Sequence, residues 1–190
     1  MLDFETKVNK YGNHFVTSLK ETSFDQNNKE YMTESSLTVY NFDKIKDEYV
    51  KTHSEIFNSK DISFRSNDAL YCKNGSFIFI EFKNGEISKH IQEELRTKVV
   101  ESLLILIDIL EENLKFSREN CVYIFVYNKN KNSKLEDQRN SSKKGIANKV
   151  AKHIKIEHNI VPSFYRYNLF FKKVYTINNK ELDKLLEELM

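Results

Sequence analysis

Apolar and polar positions alternate with different periods along this chain, and each period predicts an element. Phe4 to Leu19 has a mixed helical pattern, and Leu37 to Phe42 reads as a short strand. From Asp43 to Phe57, Ile45, Tyr49 and His53 recur at helical spacing, Glu48 and Glu55 lie off that stripe, and Asp43 is placed to cap the helix. Asp61 to Arg65 and Ala69 to Lys73 read as strands separated by Ser66-Asn67-Asp68. Asn74-Gly75 predicts a tight hairpin, because both residues tolerate positive φ, and it pairs Ala69–Lys73 antiparallel with Ser76–Lys83.

After Asn84-Gly85, Ser88 is placed to cap a helix running to about Leu114. Its apolar stripe is Ile91, Leu95, Val99, Ser102, Leu103, Leu106 and Leu110. Cys121 to Tyr127 is a fully apolar run of buried-strand type, and strand–helix–strand order predicts a parallel crossover. A polar, mobile stretch is expected over Asn128 to Lys144, then a basic helix from about Ser142 to His158. Tyr165 to Ile177 reads as a strand and Lys180 to Met190 as a terminal amphipathic helix. These elements predict an α/β fold with a central mixed β-sheet flanked by helices.

Composition narrows this without naming a partner. The 190 residues predict a single domain over 1–190, with no internal repeat or linker. Hydrophobic residues make up 39%, enough for a core and too few for a membrane protein. Lys and Arg number 30 against 28 Asp and Glu, so net charge alone does not demand nucleic acid. Cys72 and Cys121 sit in apolar strand-like segments and read as buried reduced thiols. The first residues lack an apolar leader, and the longest apolar run, Leu103 to Leu110, is broken by Asp108. A soluble cytoplasmic protein is the expectation.

The chemistry concentrates in Asp68, Glu81 and Lys83. Strand alternation points Glu81 and Lys83 to one face and Phe82 to the other. The hairpin brings Asp68 alongside Glu81. Two carboxylates about 4 Å apart repel by roughly 4 kcal/mol at an effective dielectric of about 20, so a site holding both ionised needs a cation. Mg²⁺ (or Mn²⁺) suits such a site, with the Phe82 backbone carbonyl as a further oxygen and Lys83 beside the attacking water. A Glu-x-Lys pair on a wet strand needs no such role. Its position at the end of a strongly apolar strand is what singles it out.

Asp68, then Ile78-Phe79-Ile80-Glu81-Phe82-Lys83, then a long helix and a buried strand, resembles the PD-(D/E)xK nuclease superfamily. The resemblance covers about 43–127 and rests on a short, degenerate motif, with Asn67 in place of the eponymous Pro. It implies a restriction-endonuclease-like αβββαβ core, an N-terminal extension over 1–42, and C-terminal additions over 128–190. It also implies a Mg²⁺- or Mn²⁺-dependent nuclease, with Asp68 and Glu81 as metal ligands and Lys83 as catalytic lysine. Such nucleases often carry another acid on the preceding helix, for which Glu48 or Glu55 is the candidate, Glu48 having the better helical context. Lys98, at the margin of the long helix's stripe, either reaches the phosphate or snorkels from a packed face.

Lys129, Lys131, Lys134, Arg139, Lys143 and Lys144 form a basic stretch, continued by Lys149, Lys152 and Lys155. It reads either as a phosphate-binding surface or as a solubilising loop. The aromatic segment Phe164 to Phe171 reads as strand-core packing or a homodimer interface, or as a base-stacking surface. The leading expectation is a nuclease acting on DNA in preference to RNA. The rival is an inactive nucleic-acid- or protein-binding module on the same scaffold.

Overall fold

The turns and crossovers of the chain set the order of its central sheet. The computed structural model describes residues 4–57, 63–133, 137 and 162–190. Six strands form the sheet, in the spatial order β1 (Val16–Ser18), β4 (Thr38–Asn41), β5 (Ala69–Lys73), β6 (Ser76–Lys83), β7 (Cys121–Tyr127) and β8 (Lys173–Asn178). Strands β1, β4, β5 and β6 are antiparallel to their neighbours, whereas β6, β7 and β8 run parallel. A separate ribbon pairs β2 (Phe24–Asp25) with β3 (Glu30–Tyr31). The described helices are α1 (Phe4–Val8), α2 (Leu19–Thr22), α3 (Phe42–Phe57), α4 (Lys89–Leu110), α5 (Leu114–Asn120) and α6 (Leu182–Leu189). The expected α/β fold with a central mixed sheet is therefore observed.

Alternation along the central strands divides the core into two. Phe77 and Phe79 of β6 and Tyr123 and Phe125 of β7 pack with Leu95, Val99, Leu103 and Leu106 of α4. Ile78, Ile80, Phe82, Val122, Ile124 and Val126 form the opposite layer with Leu182 and Leu186 of α6. Both sheet faces are covered, which is why β7 is apolar at every position and buried throughout. The hairpin behaves as its sequence predicts: Asn74 and Gly75 take φ of 52° and 75°, joining Lys73 to its partner Ser76. Ser88 caps α4 by accepting the Ile91 amide. At the other end of α4, the buried Lys7 ammonium donates to the Leu110 carbonyl, setting a cation against the negative end of the helix.

Several elements depart from the sequence reading. Helix α4 stops at Leu110, where Glu111 turns left-handed, and Asn113 caps the separate α5. The strand expected over Asp61 to Arg65 is not formed in its described part, residues 63–65. There the Arg65 amide donates to Glu101 and its guanidinium to Glu94, so the segment lies against α4. Strand β4 pairs with β5 instead. Where a helical pattern was expected over Phe4 to Leu19, the chain forms a short helix at Phe4–Val8 and strand β1, and the N-terminal segment supplies β1 and β4 to the sheet. Helix α3 starts one residue early, with Asn41 accepting the Lys44 amide, so Asp43 is not its cap. Tyr165 to Ile177 is not one strand: Pro162–Leu169 is a 3₁₀ helix and β8 begins at Lys173. Phe164 and Tyr167 are both buried three residues apart, a spacing that suits three residues per turn. The basic helix expected over Ser142 to His158 lies outside the described residues. Among the described residues, no helix is long and apolar enough to cross a membrane.

Candidate functional site

The end of β6 meets the start of β5 at one end of the central strands, on the α4 side of the sheet. Glu81 follows Phe77 and Phe79 on the α4 side of β6, and its carboxylate is 2% exposed. The Ala69–Ile80 pair is the last of the β5–β6 register, which sets Asp68, one residue earlier, across from Glu81. Asp68 Oδ2 accepts the Phe82 amide at 2.7 Å, so the β6 backbone orients the carboxylate directly. From α4, Lys98 Nζ donates to Glu81 Oε1 at 2.7 Å and to Asp68 Oδ1 at 3.4 Å. Its side chain is 24% exposed and that of Asp68 19%, so the pair of acids is reachable from solvent on the Asp68 side.

The preceding segment is fastened residue by residue. The Ser66 hydroxyl donates to Asp43 Oδ1. The Asn67 amide donates to the buried Ser102 Oγ at 2.8 Å. Ser102, read from the sequence as one position in an apolar stripe, thus anchors the segment that presents Asp68.

Charge in this site is unbalanced. Burial and the Asp68 charge push the Glu81 carboxyl well above the usual carboxylate range, against the pull of Lys98. Burial likewise raises Asp68, opposed by Lys98 and the Phe82 amide. Burial alone would lower Lys98, but Glu81 and Asp68 hold it above the ordinary lysine value. Asp43 adds a further negative field at all three groups. One ammonium faces two carboxylates and a third acid nearby, so the site favours binding a proton or a further cation.

Sequence reasoning missed Asp43 as a member of this cluster. The helix before β5 was expected to bring an acid to the site, and the one whose charge acts on Asp68, Glu81 and Lys98 is Asp43, in the helix's first turn. Glu48 accepts a long contact from Lys51 at 3.5 Å on the helix surface, and Glu55 is exposed. Among the described residues, neither pairs with the Lys98 that joins Asp68 and Glu81.

Lys83 was expected beside the two acids. It makes no ion pair with the described residues; the lysine joined to both carboxylates is Lys98. Lys83 lies beyond the last β5–β6 pair and lines a cleft of ≈ 180 Å³ with Asp68, Phe82, Asn84, Gly85 and Phe24.

The remaining candidates separate. Lys131 pairs with Glu30 at 2.6 Å, and the Lys129 amide donates to Asn179. Lys134, Arg139, Lys143 and Lys144 lie outside the described residues, as do Lys149, Lys152 and Lys155. Phe164 and Phe171 pack against Tyr123, Phe164 also packs against Phe125, and Tyr167 is buried beside Phe164, so these three rings belong to the core.

The donors here are hard oxygens, the type that Mg²⁺ or Mn²⁺ prefers. Among the described residues, Glu81 Oε2 is buried without a hydrogen-bond partner, as are the Asn67 side-chain amide and the Tyr123 hydroxyl. An orphaned carboxylate oxygen is costly unless something binds it. Asp68 and Glu81 therefore suit a divalent cation, held by one or two carboxylates with the rest of its shell supplied by water and substrate. Among the described residues, no three His, Cys, Asp or Glu side chains gather closely enough to cage a metal by themselves. No family model matches the chain, and no curated protein or solved structure matches it either.

Proposed function

We propose that this chain is a metal-dependent nuclease of PD-(D/E)xK type that hydrolyses phosphodiester bonds, in DNA in preference to RNA. The single observation that carries the reading is the Lys98 ammonium shared by Glu81 and Asp68 at the end of two buried strands. Asp68 and Glu81 are the residues that would hold Mg²⁺ or Mn²⁺, with the Phe82 carbonyl as a further candidate oxygen.

A bound divalent cation would supply an activated water and would stabilise charge on the phosphate oxygens. The chain's own groups do the rest. The Phe82 amide fixes the Asp68 rotamer, so one ligand needs no reorganisation on binding. Glu81 and Asp68 favour the charged form of Lys98, which suits it to an electrostatic role. Its role is to offset negative charge that grows on the phosphate as water oxygen bonds to phosphorus. The P–O ester bond breaks, water gives up its proton to solvent, and the departing oxygen takes one. Lys83, in the adjoining cleft, is placed to meet a flanking phosphate. The reading carries with it a soluble cytoplasmic protein, a possible homodimer, and a role in defence, restriction or mobile-element biology.

The direct experiment incubates the purified protein with plasmid, single-stranded DNA and RNA in Mg²⁺, Mn²⁺ or EDTA. Cleavage that requires the metal and is lost in Glu81→Gln supports the reading. No cleavage of any substrate, or cleavage unchanged by Glu81→Gln, contradicts it. The second reading, an inactive nucleic-acid- or protein-binding module, draws support from the way Lys98 already ties the two carboxylates together. It calls for binding that survives Glu81→Gln.

A further inference from the structure

The two-stranded ribbon β2–β3 stands apart from the central sheet, and its β2 strand, through Phe24 and Asp25, lines the cleft that reaches Asp68, whereas Tyr31 of β3 packs beside Phe24 outside that lining. Phe24 and Tyr31 are direct cross-strand partners in it, 40% and 39% exposed, with ring centroids 4.8 Å apart. They are the only aromatic residues among the large exposed hydrophobic side chains described. Exposed large apolar groups set side by side call for a reason in a way that single ones do not.

The ribbon is two-faced. Its other cross-strand pair, Asp25 and Glu30, turns toward the end of β6, where Asn84 Nδ2 donates to both at 2.8 and 2.6 Å. Lys131 donates to Glu30, and the buried Ser23 roots the ribbon through the Met32 amide. These bonds hold the ribbon in place, so the two rings are presented and not left to swing. Lys20 lies 4.7 Å from the Tyr31 ring centre, while its ammonium also pairs with Glu34. On the cleft side, Lys83 contributes the cation. Asp25 also lines the cleft, but both its oxygens are occupied: Oδ1 by the Asn27 and Asn28 amides, Oδ2 by the Asn28 and Asn84 side chains.

We infer that Phe24 and Tyr31 form a base-stacking platform, and that the substrate of this site is single-stranded nucleic acid. The inference rests on the nuclease reading for the identity of the site, and it adds strandedness. A cleft of ≈ 180 Å³ is smaller than the about 300–1,000 Å³ pockets that enclose drug-sized ligands, so it admits one base-sized or phosphate-sized group. Ring faces at such a mouth reach only a base that is not already paired and stacked in a duplex. Phe24, Lys83 and Asp68 line the same cleft, so a base on Phe24 and its own phosphate would share it with the candidate site.

The test is fluorescence anisotropy of labelled single-stranded DNA, single-stranded RNA and blunt duplex DNA in EDTA, where nothing can be cut. Phe24→Ala and Tyr31→Ala are each expected to weaken single-strand binding by about tenfold, the usual loss of one stacking aromatic, and to leave duplex binding unchanged. Phe24→Tyr, which keeps the ring, is expected to bind as the parent does. Equal single-strand binding by the parent and both alanine variants overturns the inference, as does an equal loss on duplex, or a parent that binds no single strand. A shift in solution mass by light scattering with single-strand binding unchanged also overturns it, and assigns the ribbon to contact between copies. Phe24-dependent binding without cleavage would leave the platform standing and remove the nuclease reading. Metal-dependent cleavage with Phe24-independent binding would do the reverse.

Discussion

Lys98 Nζ lies 2.7 Å from Glu81 Oε1, joining a helix to the end of a strand through a nearly buried ion pair. The contact pairs Lys98 with the two carboxylates, while Lys83 makes no ion pair with the described residues. This difference makes the two lysines separable by experiment. Removing one partner of a buried pair leaves its acid uncompensated, at a cost of about 3–5 kcal/mol. Lys98→Met is expected to lose stability on that scale in urea unfolding at a pH where Glu81 is ionised. Lys83→Met is expected to stay within about 0.5 kcal/mol of the parent, as surface changes do.

The raised carboxyls set a direction for pH. Burial lifts both Glu81 and Asp68 above the usual carboxylate range, so the folded state binds protons there more strongly than the unfolded chain. Stability contributed by these protons is fully present below the unfolded carboxylate pKa and is lost as pH rises through the folded values. In metal-free buffer, unfolding free energy should therefore fall with rising pH above the ordinary carboxylate range. Glu81→Gln should flatten that slope, measured as urea midpoints across a pH series.

Cys121 gives a separate check on the core. Burial first, and then the neighbouring Cys72, pushes its thiol up to about 12. A protonated buried thiol is unreactive, whereas Cys72 is partly exposed. Titration of the native protein with a chromogenic disulfide at pH 8 should modify Cys72 and spare Cys121. In denaturant both should react.

Asp43 and Glu48 provide a contrast on one helix. Asp43 acts on all three charged groups of the site, while Glu48 contacts Lys51 at the surface. Asp43→Asn should reduce metal-dependent cleavage by about tenfold, comparable to losing a partner that supports metal ligands. Glu48→Gln should cleave at the parent rate.

The parts of this site that were legible in the sequence are those fixed by local geometry. The Asn74-Gly75 turn and the alternation over β6 suffice to set Asp68 across from Glu81, because hairpin register and strand period are short-range. Lys98 stood out only as a lysine at the edge of an apolar stripe. Its partners depend on where α4 lies across β6, which no spacing encodes. Asp43 was hidden because Asp and Asn are both good caps, and here Asn41 does the capping. The aromatic run from Phe164 misled because its composition suits a strand, while its buried positions follow a three-residue period. The β2–β3 ribbon is too short for its alternation to register at all.

The central claim is that Asp68, Glu81 and Lys98 carry phosphodiester hydrolysis, and single-turnover cleavage of a labelled oligonucleotide in Mn²⁺ tests it most directly. Glu81→Gln and Lys98→Ala should each slow the cleavage step by about 10²–10³, the scale of losing one electrostatic group, with Lys83→Ala affected far less. A parent rate no faster in Mn²⁺ than in EDTA, or a rate lost in Lys83→Ala and intact in Lys98→Ala, would contradict the account.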